Sequence, residues 1–128
     1  MSPVKQGRKE AMERLAEDQE RAERLPDLLR SVSRAQSALE AAREQNAPDE
    51  EVRRHGMELD TALTEAMRAA YAKERTLVGP KGYTDRIHRR KRLATPPVRR
   101  ATEEAEGLLT AREDHRLHGV QRIPRRTF

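Results

Sequence analysis

The stretch that decides the fold runs from Leu28 to Leu77 and reads LLRSVSRAQSALEAAREQNAPDEEVRRHGMELDTALTEAMRAAYAKERTL. Mostly apolar residues recur in it in alternating steps of four and three. They do so over Leu28, Val32, Ala35, Leu39, Ala42 and Asn46, and then, in a shifted phase, over Val52, Gly56, Leu59, Leu63, Ala66, Ala70, Lys73 and Leu77, with Lys73 the one charged member. This is the spacing of the core positions of a coiled coil. The pattern predicts two long helices that share a seam, with Leu28, Val32, Leu39, Val52, Leu59 and Leu63 as its main residues.

The segment between the two halves of this pattern predicts a tight turn. Asn46 tolerates the left-handed conformation with which many helices end, and Pro48 suits the first position of a new helix. The acidic residues 49–51 favour the positive end of a helix dipole. We therefore predict an antiparallel helical hairpin, coiled-coil-like, over about residues 27–77.

Further helices are expected on both sides of the hairpin. Residues 4–25 predict a helix that ends or kinks at Pro26, because proline disrupts a helix interior. Beyond residue 77, a Gly- and Pro-containing breaker precedes a short helix that Thr84 is expected to cap and that ends at Leu93. A last helix is predicted at about residues 98–118, followed by an extended tail. The expected fold class is all-α.

Charge is distributed unevenly along the chain. Residues 1–77 carry fourteen basic and sixteen acidic side chains, whereas residues 78–128 carry thirteen basic and only six acidic ones. We therefore expect a nearly balanced helical body, residues 1–77, followed by a basic C-terminal arm, residues 78–128. Such an arm is suited to an anionic partner.

The cluster Arg86-Ile-His-Arg-Arg-Lys-Arg92 is the strongest candidate binding segment. If it is helical, only Ile87 and Leu93 remain to pack, so we expect it to become ordered on a phosphate backbone. An acidic protein surface is the alternative partner, and a solvated linker is the alternative without one. The candidate contact residues are Arg86, Arg89, Arg90, Lys91, Arg92, Arg99, Arg100, Arg122, Arg125 and Arg126.

The remaining residues predict no catalytic or metal site and no cofactor. The chain has no cysteine, which excludes disulfides and thiolate zinc ligands. His115 and His118 lack a third ligand at a suitable spacing, and the carboxylates mix with arginine as on solvated helix faces. We therefore do not expect an enzyme. No apolar run is long enough to span a bilayer, and no hydrophobic stretch follows the first basic residues, so we expect an intracellular (cytoplasmic) protein or one inside a virion.

The apolar residues are mostly Ala and Leu, and the chain is 38% charged. A core of this kind is thin, so we expect a homo-oligomer or a hetero-assembly. The leading functional hypothesis is a structural, non-enzymatic component of a large viral or nucleoprotein assembly. In it the hairpin contacts protein subunits and the arm contacts nucleic acid or an acidic neighbour. The alternatives are a free-standing dimeric DNA- or RNA-binding regulator and a small accessory subunit of an enzyme.

Overall fold

The computed structural model describes residues 2–119, and within that range the chain is all-helical, with 91% helix and no strand. This confirms the predicted fold class. The described part contains the α-helices α1 (Pro3–Glu23), α2 (Leu25–Glu44), α3 (Asp49–Val78), α4 (Arg86–Leu93) and α5 (Pro96–Asp114). A 3-10 helix, Pro80–Tyr83, connects α3 to α4, and a π-helical turn, His115–Gly119, follows α5. The predicted extended tail from Val120 onward lies outside the described residues.

The described residues form two compact units. The first unit contains the residues up to Leu25 together with Arg68–Glu106, and the second contains Pro26–Met67 and the described residues from Gly107 onward. Each unit therefore draws on residues from both sides of position 77. The last third of α3 and the first part of α5 belong to the first unit, and the other parts of both helices belong to the second.

The core of the first unit is built mainly from small side chains. Its buried apolar residues are Ala11, Leu15, Leu25, Ala69, Ala70, Ala72, Val78, Val98, Ala101 and Ala105. Val98, in the first turns of α5, is the largest of the described side chains that are fully buried. Alanine lets helices approach closely but removes little apolar area from water, so each contact contributes little to stability.

The core of the second unit contains most of the predicted seam. Leu39, Val52, Leu59 and Leu63 are buried in one cluster with Ala42, and Val32 packs partly buried against it. Leu28 is only partly buried, and Leu77, expected at the end of the seam, is 37% exposed. Four of the six main residues predicted for the seam are therefore buried in one cluster, whereas Leu28 and Leu77 are more exposed.

The first two helices are separated by a single residue. Arg24 ends α1 with its backbone N–H donating to the Arg21 carbonyl at 3.1 Å, and α2 begins at Leu25. Pro26 is thus the second residue of α2, where no N–H is needed for a helical hydrogen bond. The predicted break is present, but it lies just before the proline.

The turn after α2 has the hydrogen bonds of a Schellman motif. Asn46 has a φ of 53°, its N–H donates to the Arg43 carbonyl at 3.1 Å, and the Ala47 N–H donates to the Ala42 carbonyl at 2.9 Å. This confirms the left-handed helix end predicted at Asn46. Pro48 stands one residue before the helix it was expected to begin, and its carbonyl accepts from the Val52 N–H at 3.0 Å.

The predictions for the ends of α4 and α5 need correction. Asp85, and not Thr84, caps α4, because its carboxylate accepts from the N–H groups of Ile87 and His88, both at 3.0 Å. Helix α5 begins at Pro96, two residues earlier than predicted, since proline is compatible with a first helical position. Its α-helical part ends at Asp114, four residues before the predicted end.

Candidate anion-binding surface of helix α4

Helix α4 carries five basic side chains among its eight residues. The Asp85 cap fixes its first turn, and hydrogen bonds from backbone N–H groups, that of His88 first, hold the pKa of Asp85 below its usual value. Three of the basic residues lie in the last turn, where cations interact favourably with the negative end of the helix dipole. The segment is therefore an α-helix in the structure, with its first turn capped and three of its cations in its last turn.

Two of the predicted contact residues form contacts within the first unit. Arg89 forms an ion pair with Glu74, with 3.7 Å between its Nη2 and the Glu74 Oε1. Arg92 donates from its Nη2 to the Leu77 carbonyl at 2.9 Å. These contacts tie α4 to the end of α3, so both arginines position the helix and are only partly available to a partner.

Glu74 is the buried end of the Arg89 contact. It is only 5% exposed, and its Oε2 accepts a hydrogen bond from the Thr102 hydroxyl of α5 at 2.6 Å. A buried carboxylate is stable only when it is paired and hydrogen-bonded. Glu74 thus joins α3, α4 and α5 through one side chain. The expectation that carboxylates lie on solvated helix faces was wrong for this residue.

The other three basic residues of α4 point away from these contacts. Arg86, Arg90 and Lys91 are exposed, and none of them has an ion-pair partner among residues 2–119. Ile87 lies among them and is 70% exposed, whereas the sequence had suggested that it packs inward. We call these four residues the outer face of α4. Three cations and one apolar side chain are brought together there.

Arg99 and Arg100 lie in the first turns of α5 and are also exposed. Arg99 borders a cleft of about 410 Å³ that Arg89 and Leu93 line as well. Cations from α4 and α5 therefore share one edge of the first unit with the carboxylates of Glu74, Glu103 and Glu106, which line the same cleft. The predicted contact residues Arg122, Arg125 and Arg126 lie outside the described residues.

A partly buried polar network fixes the segment that leads into α4. Arg75 donates to the Asp18 carboxylate through its Nε at 2.8 Å and its Nη2 at 3.0 Å. The Tyr83 hydroxyl donates to the same carboxylate, and the Arg14 guanidinium lies 4.9 Å from the Tyr83 ring centroid. The 3-10 helix is thereby held against α1 and α3. Sequence reasoning missed this network because Asp18 lies far from both donors along the chain.

The titration of these groups follows from their contacts. Burial alone would raise the pKa of Asp18, but the hydrogen bonds from Arg75 and Tyr83 outweigh it and hold that pKa below its usual value. Burial and then the bond to Asp18 raise the pKa of Tyr83. The network is therefore ionised at Asp18 and neutral at Tyr83 at physiological pH.

Two glycines set the path between α3 and α4. Gly79 has a φ of 97°, a conformation that L side chains rarely adopt. A Cβ at Gly82 would lie 2.3 Å from Cγ1 of Val78, so the 3-10 helix approaches α3 too closely for any side chain there. The Gly-Pro-Lys-Gly segment is thus a tight turn that directs the chain toward α4.

Residues 2–119 contain no group of three or more potential metal-ligating side chains. No helix within that range is long and apolar enough to cross a membrane. The outer face of α4 is therefore the strongest candidate site. Compared with known protein families, curated proteins and solved structures, the chain matches none of them.

Proposed function

We propose that this protein is a non-enzymatic assembly component that docks on nucleic acid through the outer face of α4. The observation that carries the proposal is the set of exposed cations Arg86, Arg90 and Lys91, which have no intramolecular ion-pair partner among the described residues. Cations that lack an internal partner gain most from phosphates, because binding releases the condensed counterions of the nucleic acid. The internal contacts of Arg89 and Arg92 hold the helix in place for this role.

Binding of this kind is directed at the phosphate backbone. Sequence-tolerant recognition of single strands relies on exposed aromatic side chains, on which bases stack. The chain has only two tyrosines and one phenylalanine. Tyr83 is engaged by Asp18 and Arg14, and Tyr71 is partly buried. We therefore propose weakly sequence-specific contacts with duplex nucleic acid.

We further propose that α2 and α3 form an antiparallel coiled-coil hairpin that contacts other protein subunits. The apolar cluster of Leu39, Val52, Leu59 and Leu63 supports a shared seam. The Schellman turn at Asn46 leaves only four residues, 45–48, between the two helices, which is typical of antiparallel neighbours. Of the predicted basic C-terminal arm, this proposal uses only the exposed cations. The first turns of α5, which belong to that arm, contribute Val98 to the core of the first unit.

A second candidate is docking on an acidic protein surface, and the exposure of Ile87 favours it. Protein interfaces commonly centre on an apolar anchor surrounded by polar or charged residues. An isoleucine that is 70% exposed between cations fits a partner with an apolar pocket and an acidic rim. A free-standing dimeric DNA- or RNA-binding regulator would use the same cations without such a pocket.

Replacing Arg86, Arg90 and Lys91 together with alanine tests the proposal. Binding to a random-sequence DNA duplex at low salt should weaken by about tenfold or more, because the variant neutralises three fewer phosphates. A matched control changes three other exposed cations, Lys9, Arg53 and Arg68, to alanine and should bind nearly as the wild type does.

The binding measurements distinguish the two proposed partners, nucleic acid and an acidic protein surface. If both triple variants bind duplex as tightly as the wild type, the nucleic-acid proposal is wrong. Replacing Ile87 with serine then separates the second candidate, because removal of an apolar anchor should weaken binding to an acidic protein and leave duplex binding unchanged.

A further inference from the structure

A small cavity in the first unit lies against α1, the end of α3, the 3-10 helix and α4. Its volume is about 130 Å³, and its lining includes Arg14, Arg75 and Arg89 together with Gly79, Gly82 and Tyr83. One arginine comes from each of the three α-helices. No carboxylate is among the described residues that line the cavity. Three guanidinium groups therefore border one small space that contains no acidic side chain.

Arg14 is held beside the cavity without the use of its hydrogen-bond donors. Its guanidinium lies 4.9 Å from the centroid of the Tyr83 ring, whose face attracts a cation. Tyr83 is itself fixed by its hydrogen bond to Asp18. The Arg14 side chain forms no ion pair or hydrogen bond with another of residues 2–119. Its N–H groups are therefore positioned by the ring and available to an acceptor in the cavity.

The other two arginines also keep donors for such an acceptor. Arg75 uses its Nε and Nη2 on the Asp18 carboxylate, so its Nη1 has no described acceptor. The Arg89 Nη2 lies 3.7 Å from the Glu74 Oε1, which is longer than the range of about 2.7–3.2 Å for an N–H···O hydrogen bond. Asp18 and Glu74 offset two of the three positive charges, and one remains.

The size and the walls of the cavity favour a particular anion. A cavity of about 150 Å³ holds benzene, so a volume of about 130 Å³ accommodates a single phosphate group. Gly79 and Gly82 contribute only backbone to the wall, which leaves this space open. Guanidinium groups pair well with phosphate oxygens because their planar donors match them. Donors from three helices suit the several oxygens of a tetrahedral phosphate better than the two oxygens of a flat carboxylate.

We propose that this cavity binds a phosphate group, either as inorganic phosphate or as the phosphate of a small phosphomonoester. The group accepts hydrogen bonds from Arg14 of α1, Arg75 of α3 and Arg89 of α4. Its binding links these helices and stabilises the first unit, because a ligand that binds only the folded chain favours folding. The site goes beyond the proposed docking on nucleic acid, since it contains no residue of the outer face of α4.

Arg14→Gln tests the site, because it removes the guanidinium that has no acidic partner. Arg14 is exposed and glutamine is a good helix former, so the variant should keep the helicity of the wild type. The matched control is Arg53→Gln, which makes the same change of charge at an exposed residue of the second unit. Arg14→Lys is a second variant that keeps the charge but not the planar set of donors.

Isothermal titration calorimetry with inorganic phosphate, at constant ionic strength in a chloride buffer, provides the readout. The wild type and Arg53→Gln should bind phosphate at a single saturable site with the same dissociation constant. Arg14→Gln should raise that constant by about tenfold or more, because a charge-assisted hydrogen bond is lost. Arg14→Lys should give a value between those of Arg14→Gln and the wild type.

Three results would overturn the proposal. The first is a wild type that binds no phosphate at millimolar concentrations. The second is an Arg14→Gln variant that binds phosphate as tightly as the wild type while circular dichroism shows unchanged helicity. If Arg14→Gln loses helicity, Arg14→Lys decides, and wild-type affinity in that variant is the third.

Two further titrations identify the source of the phosphate group and separate this site from the outer face of α4. Adenosine monophosphate should bind more tightly than inorganic phosphate if the ligand is a phosphomonoester, and less tightly if it is inorganic phosphate. Either affinity should fall in Arg14→Gln. The variant with alanine at Arg86, Arg90 and Lys91 should keep the wild-type affinity for inorganic phosphate, and Arg14→Gln should bind duplex nearly as the wild type does. Loss of phosphate binding in the triple variant would place the ion on the outer face of α4 and overturn the cavity site.

Discussion

Replacing Asp18 with asparagine removes the centre of the network that positions the entry to α4. The wild-type carboxylate accepts two hydrogen bonds from Arg75, at 2.8 and 3.0 Å, and one from Tyr83. The amide of asparagine has one oxygen and one NH2 group, and the NH2 group would face a guanidinium that can only donate. At least one donor of Arg75 or Tyr83 therefore loses its acceptor.

The magnitude follows from the burial of the two partners. Breaking a fully buried ion pair costs about 3–5 kcal/mol. Asp18 is 9% exposed, but the Arg75 side chain is 37% exposed and can turn toward water, which lowers the cost. We expect the free energy of unfolding to fall by roughly 2–3 kcal/mol, which corresponds to about 6–12 °C in the thermal midpoint for a domain of this size.

Thermal unfolding followed by circular dichroism at neutral pH measures this decrease. The control is Glu17→Gln, because Glu17 is the exposed acidic neighbour of Asp18 on α1 and its replacement removes the same charge. Glu17→Gln should leave the midpoint within about 2 °C of the wild type, as expected for surface substitutions. If Asp18→Asn has as small an effect as the control, the network contributes nothing to stability and this explanation is wrong.

Three further predictions concern the same elements. The pKa of Asp18 is lowered in the folded state. The ionised carboxylate therefore stabilises the fold fully above the unfolded pKa of about 3.9, and this stabilisation is lost as the pH falls through the folded pKa. The difference in unfolding free energy between the wild type and Asp18→Asn should therefore narrow below about pH 4, and a difference independent of pH would contradict this. Leu63→Ala should cost about 2–5 kcal/mol by chemical denaturation because Leu63 is buried in the second unit, whereas the exposed Glu44→Ala should change little. Gly82→Ala should lower the free energy of unfolding by about 1–3 kcal/mol, because the new Cβ would collide with the buried Val78. An unchanged free energy of unfolding would show that the 3-10 helix and α3 leave room for a side chain at this position.

Local rules predicted the helices well but not all of their ends. The four-and-three spacing identified Leu39, Val52, Leu59 and Leu63 because a helix buries one stripe of its surface and that stripe is visible in the sequence. The prediction that Thr84 caps α4 was wrong, because threonine and aspartate both favour that position and only the hydrogen bonds of Asp85 identify the cap.

The basic residues of the candidate site could be predicted from the sequence, but their individual contacts could not. The run of cations from Arg86 to Arg92 is evident in the sequence, but the sequence does not say which members are used internally. Arg89 and Arg92 are assigned to positioning only by Glu74 and the Leu77 carbonyl, residues of another helix. The same holds for Asp18, whose donors are 57 and 65 residues away. Contacts at such separations depend on tertiary packing, which residue spacing alone does not reveal.

The salt dependence of duplex binding tests the central claim most directly. For the wild type, the logarithm of the association constant should fall steeply and linearly with the logarithm of the salt concentration. The variant with alanine at Arg86, Arg90 and Lys91 should show a slope shallower by about 2.7, at about 0.9 for each phosphate that it no longer neutralises. The Lys9, Arg53 and Arg68 control should keep the wild-type slope. Equal slopes for all three proteins would contradict the proposal that the outer face of α4 binds nucleic acid.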